Sequence, residues 1–444
     1  MIIQDDLILQ WNGRLATPVC SLWNTASDSR ACERYVVSAM KFLFVHQNFP
    51  GQFLHLLRHL VKQARHEVLF ITEANPNHIP GVRKLAYAVR PPSSRTHFDA
   101  ADFEAAMRRA AAVAELAAKL RDAGFDPDVI IGHEGWGEML NLGDVWPRAP
   151  RIGYREYFYH LDGADVGFDP EFPTPPALRA RIRAKNAVDL LALLGLDPGV
   201  TPTLWQRSLY PGWAQPAIAV APDGVDLDRC RPDIMARARP FCLGRIRVMP
   251  GERLVTYVAR DLEPYRGFHV FMRALPAILA ARPDAQVVCL GGDGVSYGLP
   301  PSHGTWRGRL CAELGGALDP ARVHFPGRVP FADLVRMLQR SDVHAYLSYP
   351  FIPSWSLREA LACGCTVVTG DTAAIAEFVQ DRVTGALTPA LDPAALADRV
   401  LGLLDDEDER MRLGEGARRF AEAGMRLDIH LAGYEAVIRS AMRQ

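Results

Sequence analysis

The sequence predicts two α/β domains, each built on a doubly wound parallel sheet and facing the other across a cleft. Three observations carry that expectation. Met40-Lys-Phe-Leu-Phe-Val-His46 is a continuous apolar run of the kind found in strands buried on both faces. Strand-like and helix-like segments then alternate twice along the 444 residues. Between the two alternations, Pro222-Asp-Gly-Val-Asp226 and a polar, arginine-rich stretch to Pro250 break the pattern as a domain crossing does.

In chain order, residues 1 to 39 show no clean period and read as an extension, without the cationic start and apolar core of a secretory signal. The strand at Met40 leads through Gln47-Asn-Phe-Pro-Gly51 into a helix whose apolar face is Phe53, Leu56, Leu57, Leu60 and Val61, at offsets that share one side. Strands follow at His66–Ile71 and Lys84–Val89, then an alanine-rich helix from Ala100 to Ala123 and a strand from Asp128 to His133. A basic helix from Leu178 to Leu194 and a strand from Ala217 to Ala221 close the first half. Its alternate arginines do not share a helical face, which favours a plain surface helix over one lying on a membrane.

The second half repeats the scheme: strand Leu254–Ala259, helix Phe268–Ala281, strands Gln286–Leu290 and Val323–Phe325, and a helix with Phe331, Leu334, Val335 and Leu338 inward. Strand Val343–Leu347, a helix starting near Ser354, strand Thr366–Thr369 and terminal helices complete it. The expected division is an extension (1–39), a first domain (40–225), a second domain (226–427) and a last helix (428–444).

Composition narrows the chemistry. Basic and acidic residues nearly cancel at a net charge of −1, which argues against a nucleic-acid partner, and no apolar run approaches the roughly 20 residues of a membrane span. Eight cysteines, mostly in apolar stretches such as that around Cys289, suit a reducing, cytoplasmic setting better than a disulfide scaffold. Lysine stops at Lys185, so the second half holds neither a P-loop lysine nor a Schiff-base lysine. Any phosphate bound there must be held by arginine or by backbone amides. No metal-ligand spacing is present, and neither a metal nor a bound cofactor is expected.

Open α/β sheets bind ligands beyond the carboxyl ends of their strands, so the loops at those ends supply the candidates. After Ala259 come Arg260 and Arg266, guanidinium groups suited to a diphosphate, although two surface arginines would look the same. Gly292, in Leu290-Gly-Gly-Asp-Gly294, lets the backbone approach a ligand closely. Ser354 is a plausible N-cap that would leave the amides of Trp355, Ser356 and Leu357 turned toward an anion. Glu359 lies in the same helix within an apolar run, where a carboxylate ordinarily needs a partner; a pair of sugar hydroxyls would serve. In the first half, His133 ends a strand and Gly51 lies in the loop after the opening strand.

Together these segments resemble glycosyltransferase family 4, retaining enzymes of the two-domain type called GT-B that use nucleotide sugars. The likeness runs from about Met40 to the end, through Val45-His-Gln-Asn-Phe-Pro-Gly51-Gln52, the His133 strand, Asp223-Gly-Val-Asp226, Arg260 to Gly267 and Glu359-Ala-Leu-Ala-Cys-Gly364. The resemblance implies that Arg260 and Arg266 hold the donor diphosphate, Glu359 the ribose, and Arg328 and Val329 the neighbourhood of the base. It places Gly51 against the phosphates, His133 beside the donor sugar, and the last helix back on the first domain. It further implies sugar transfer with retention to a small-molecule, glycan or lipid-linked acceptor. Two departures stand out: Phe351 occupies a position where the family often has a glutamate, and six positions rather than five separate Arg260 from Arg266, with arginine in place of lysine. The rival expectations are a nucleotide-sugar epimerase on the same fold and a non-catalytic binder of nucleotides or sugars.

Overall fold

The structure, a computed structural model, describes residues 39–92, 95–195 and 197–443. The expected extension therefore lies outside the described residues, apart from Ala39.

The first sheet contains β1 (Lys41–Val45), β2 (Glu67–Glu73), β3 (Arg83–Tyr87), β4 (Val129–His133), β5 (Arg151–Tyr154), β6 (Gly199–Thr201) and β7 (Ile218–Val220). All seven are parallel, in the order β3-β2-β1-β4-β5-β6-β7. A short antiparallel hairpin, β8 (Phe241–Leu243) and β9 (Ile246–Val248), occupies the stretch read from sequence as plain crossing. The second sheet contains β10 (Arg253–Asp261), β11 (Ala285–Gly292), β12 (Val323–Gly327), β13 (Val343–Tyr346), β14 (Val367–Gly370) and β15 (Ala386–Thr388), again parallel, in the order β12-β11-β10-β13-β14-β15.

The continuous apolar strands have the reason expected: each sheet is covered on both faces. One face of the first sheet buries Phe42, Phe44, Phe70 and Ile131 with helix residues Phe53, Leu56 and Leu60, and the other buries Leu43, Leu69 and Ile130 with Val113, Ala117 and Leu120. The last helix, Leu427–Ala441, contributes Tyr434, Val437 and Ile438 to the first of these cores, so it returns to the first domain. The crossings out and back run together, with the Val225 amide donating to the Met425 carbonyl at 2.8 Å.

The basic helix extends over Pro176–Leu194. Arg181 pairs bidentately with Asp102, Arg179 pairs with Asp162, and Lys185 lies over the Tyr159 ring, while Leu190, Leu191 and Leu194 are exposed. No helix among the described residues is long and apolar enough to cross a membrane.

Candidate active site

In each sheet the strand order reverses once, between β1 and β4 and between β10 and β13. Loops leaving the carboxyl ends of those strands part to opposite sides and leave a crevice. The residues singled out from sequence all follow strand ends at or beside these two places.

At the first crevice His46 follows β1 and His133 ends β4, with ring centroids 4.9 Å apart. The two are held alike. The Asn48 amide donates to His46 Nδ1 at 2.9 Å, and the Gly135 amide donates to His133 Nδ1 at 3.1 Å. Each ring therefore keeps its proton on Nε2. His46 uses that proton toward Gln52 Oε1 at 2.9 Å and His133 toward Glu156 Oε2 at 3.1 Å, while the Gln52 side-chain amide donates to Glu156 Oε1 at 2.7 Å. Burial and the second imidazole push the His46 pKa down to about 3. Burial opposes charge on His133, but the bond to Glu156 and its charge outweigh that and raise the pKa of the ring. Burial works against the Glu156 charge too, but the bonds from His133 and Gln52 outweigh it and hold this carboxyl below the usual range.

Both ring nitrogens of His133 are engaged within the protein, and the Glu156 carboxylate that it supports is the more exposed of the two. Gly51 has a structural reason of its own: its φ is +54°, and a Cβ there would lie 2.7 Å from His46 Cδ2.

At the second crevice the two arginines differ. Arg260 is exposed at the end of β10. Arg266 is only 7% exposed, donating to Ser348 Oγ at 3.0 Å and to the Ile352 carbonyl at 3.2 Å, with the Tyr297 ring 4.8 Å from its guanidinium carbon. Arg266 is thus covered where Arg260 is open. The physical cause is Glu263, whose carboxylate accepts the amides of Ser296, Tyr297 and Gly298 and folds their loop across Arg266.

Phe351, 2% exposed, packs against Tyr157, Tyr265 and Tyr297 at centroid distances of 4.6, 5.1 and 4.8 Å. Tyr157 and Tyr265 both donate to Asp165, at 2.7 and 2.6 Å, and Tyr349 and His269 both reach Asp169, at 2.7 and 2.9 Å. The position where the family often has a glutamate is thus the middle of an apolar contact between the halves.

Ser354 precedes the helix Trp355–Ala362, but its hydroxyl pairs with Ser356 Oγ at 2.6 Å and caps no amide. The Leu357 amide is not free either, since it donates to the Ser354 carbonyl at 3.2 Å, and its side chain is fully buried. Trp355 turns to the crossing and donates from Nε1 to Asp223 at 3.1 Å, with His55 stacked on its ring. Glu359 is partly buried, and desolvation, offset in part by Arg358 and Arg229, pushes its pKa up to about 7. Gly292 admits the ion pair of Arg328 and Asp261, 2.8 Å long, whose atoms a Cβ would meet. Arg328 itself is largely exposed, and Val329 packs against the core of the second domain.

Two facing Rossmann-like sheets, with arginines, a helix start and a carboxylate at one switch point and a buried histidine pair at the other, define a two-domain GT-B glycosyltransferase. A family model described as "Glycosyl transferase family 4 group" matches residues 64–230, and one described as "Glycosyl transferases group 1" matches residues 245–420. The D-inositol 3-phosphate glycosyltransferase of Corynebacterium efficiens is 32% identical over 302 residues, covering 67% of this chain and 68% of that protein. The GDP-mannose-dependent alpha-(1-6)-phosphatidylinositol monomannoside mannosyltransferase of Mycolicibacterium smegmatis is 28% identical over 295 residues, covering 64% of this chain and 70% of that protein. Among solved structures, sucrose-phosphate synthase from Thermosynechococcus elongatus superposes with a TM-score of 0.66 at 19% identity, covering 91% of this chain and 99% of that chain. The chain belongs to glycosyltransferase family 4.

Proposed function

We propose that the protein transfers a hexosyl group from a nucleoside diphosphate sugar to an acceptor hydroxyl, with retention of configuration. The observation that carries this reading is the grouping of Arg260, Arg266, the start of the Trp355 helix and Glu359 around the β10–β13 switch point. Arginine and free amides at one place suit a diphosphate leaving group, because its negative charge grows as the sugar–oxygen bond breaks. Glu359 would accept from the two ribose hydroxyls. The arginines supply positive charge that other enzymes take from a divalent cation, so the reading invokes no metal. It requires the Tyr297 loop to move off Arg266 when donor enters.

The names of the relatives suggest where to begin. Both act on inositol compounds, one of them lipid-linked, and one uses GDP-mannose. GDP-mannose is the first donor to test, with inositol phosphates and phosphatidylinositol-type lipids as acceptors. In a thermal-shift panel of nucleotides and nucleotide sugars, the right ligand at 100 times its dissociation constant should add about 2.7 kcal/mol. Product anomeric configuration, read by NMR, tests retention. Failure of every nucleoside diphosphate to stabilise the protein would sink the reading.

A further inference from the structure

Glu156 has no assigned part in the chemistry above. Its side chain is 22% exposed, although His46 and His133 beside it are buried. Its sequence neighbour Tyr157 packs on Phe351 of the second domain. Its hydrogen-bond partner Gln52 opens the helical segment whose His55 stacks on Trp355. The carboxylate therefore lies beside two points at which the domains meet across the cleft.

Several other carboxylates at the cleft are already matched. Asp165 and Asp169 are taken by tyrosines and His269, Glu263 by three amides, Asp223 by Trp355 and Arg358, and Asp261 by Arg328 and Ser296. Asp165 and Glu263 also accept only from hydroxyls or amides, but both are buried, whereas the Glu156 side chain is open to the crevice. Its two side-chain donors are an amide, Gln52, and an imidazole, His133, and among the described residues no arginine or lysine pairs with it. Two hydrogen bonds leave lone pairs on both oxygens. A half-enclosed carboxylate held charged with no arginine or lysine beside it is costly unless further positive charge arrives during the work of the site.

Glycosyl transfer supplies such a charge. As the bond from the anomeric carbon to the diphosphate oxygen breaks, its electron pair leaves with the diphosphate, and positive character spreads over the anomeric carbon and the ring oxygen. The acceptor oxygen then forms the new bond, and its proton passes to the departing phosphate. We propose that Glu156 contacts the donor sugar from the first domain and stabilises this developing positive charge, a carboxylate supplied from the side opposite Phe351. The inference rests on the glycosyl-transfer reading above. His133, Gln52 and His46 become positioning residues, orienting Glu156 and keeping it ionised.

The test is Glu156→Gln, which keeps shape and one acceptor but removes the charge. Sugar transfer and the slow hydrolysis of donor by water should fall together by about 100-fold, because both pass through the same cationic transition state. Nucleoside diphosphate binding, read by thermal shift, should stay at the wild-type level, and Glu156→Asp should recover part of the rate. Wild-type hydrolysis in Glu156→Gln overturns the assignment, and loss of transfer alone would move Glu156 to the acceptor. Parallel loss of thermal midpoint and nucleotide binding, with no rescue by Asp, would make its role structural. If the wild-type protein binds no nucleoside diphosphate, the glycosyl-transfer reading itself falls; if it binds and cleaves donor as well as the variant does, only Glu156 is misplaced.

Discussion

The Tyr297 ring lies 4.8 Å from the guanidinium carbon of Arg266, and the loop carrying that ring is fastened by Glu263. Arg260, six residues before Arg266, is exposed, with its guanidinium carbon 6.0 Å from the same ring. One charge is stored under an aromatic cover and the other is open.

The two arginines should therefore separate in stability and agree in rate. Arg260→Ala should leave the thermal midpoint unchanged, whereas Arg266→Ala strands Ser348 and the Ile352 carbonyl and should lose about 1–3 kcal/mol in urea unfolding. Turnover should drop by about 10² to 10³ in both, as for one oxyanion donor. Steady-state kinetics and unfolding curves on the same preparations check this, and a normal kcat in both variants would remove the arginines from the site.

Glu359 gives a pH dependence with a defined sign. Its folded-state pKa of about 7 lies above the ordinary 4.5, so the fold prefers the protonated form. Its contribution to stability is most favourable at low pH and is lost as pH rises from about 4.5 to 7, by up to about 3 kcal/mol. Glu359→Gln should accordingly be the more stable protein at pH 8. Ribose hydroxyls need the ionised form as acceptor, so donor KM should fall as pH rises through 7, and the glutamine variant should lack that change while keeping most of its kcat.

Asp223 accepts from Trp355 Nε1 at 3.1 Å and lies 3.5 Å from the buried guanidinium of Arg358. Asp223→Ala leaves that cation short of its counter-charge and should cost about 3 kcal/mol in urea unfolding. Asp223→Asn keeps an acceptor for the indole and should cost less. Equal stability of both variants with wild type would mean that Pro353 and Ser354 carbonyls alone satisfy Arg358.

Gly51→Ala places a side chain at φ +54° and against the His46 ring. The left-handed backbone alone costs about 1–2 kcal/mol, and the displaced ring loosens the bond to Gln52. Stability should fall together with hydrolysis of donor, if Glu156 depends on the arrangement that Gln52 and His46 maintain. Stability loss with unchanged donor hydrolysis would uncouple the glycine from that network.

Strands buried on both faces were legible because burial writes itself as uninterrupted apolar sequence, as at Met40–Val45 and Leu254–Val258. The three-residue strands β6 and β15 and the β8–β9 hairpin were not, since three residues show no period; β7, equally short, stood out only through its apolar run Ala217–Ala221. Arg260, Arg266 and Glu359 could be found from their place after strands. Glu156 could not, because β5 was too short to recognise and because its partner Gln52 is 104 residues away. The polar pair Arg155-Glu156 after the apolar Ile152-Gly-Tyr154 was the available signal. The covering of Arg266 by Tyr297 was illegible for a similar reason: it depends on Glu263 gathering amides 33 to 35 residues farther along.

The stitched crossings have a mechanical consequence. Val225 and Met425 join the outgoing and returning segments by a hydrogen bond, and His430 is bonded to the Pro222 carbonyl at 2.9 Å. Two strands of chain fixed side by side act as the pin of a door, leaving rotation about one line as the easy motion between the domains. The opposite edge is where the latch must be, and there Asp165 and Asp169 are gripped by tyrosines and Glu171 by Arg273. Spin labels at the exposed Asp162 and His303 should show a distance that broadens when Asp165 and Asp169 are both replaced by alanine; an unchanged distance would mean that the latch lies elsewhere. Admission of a ligand would then be a matter of releasing phenolic protons from two aspartates, with the pin undisturbed.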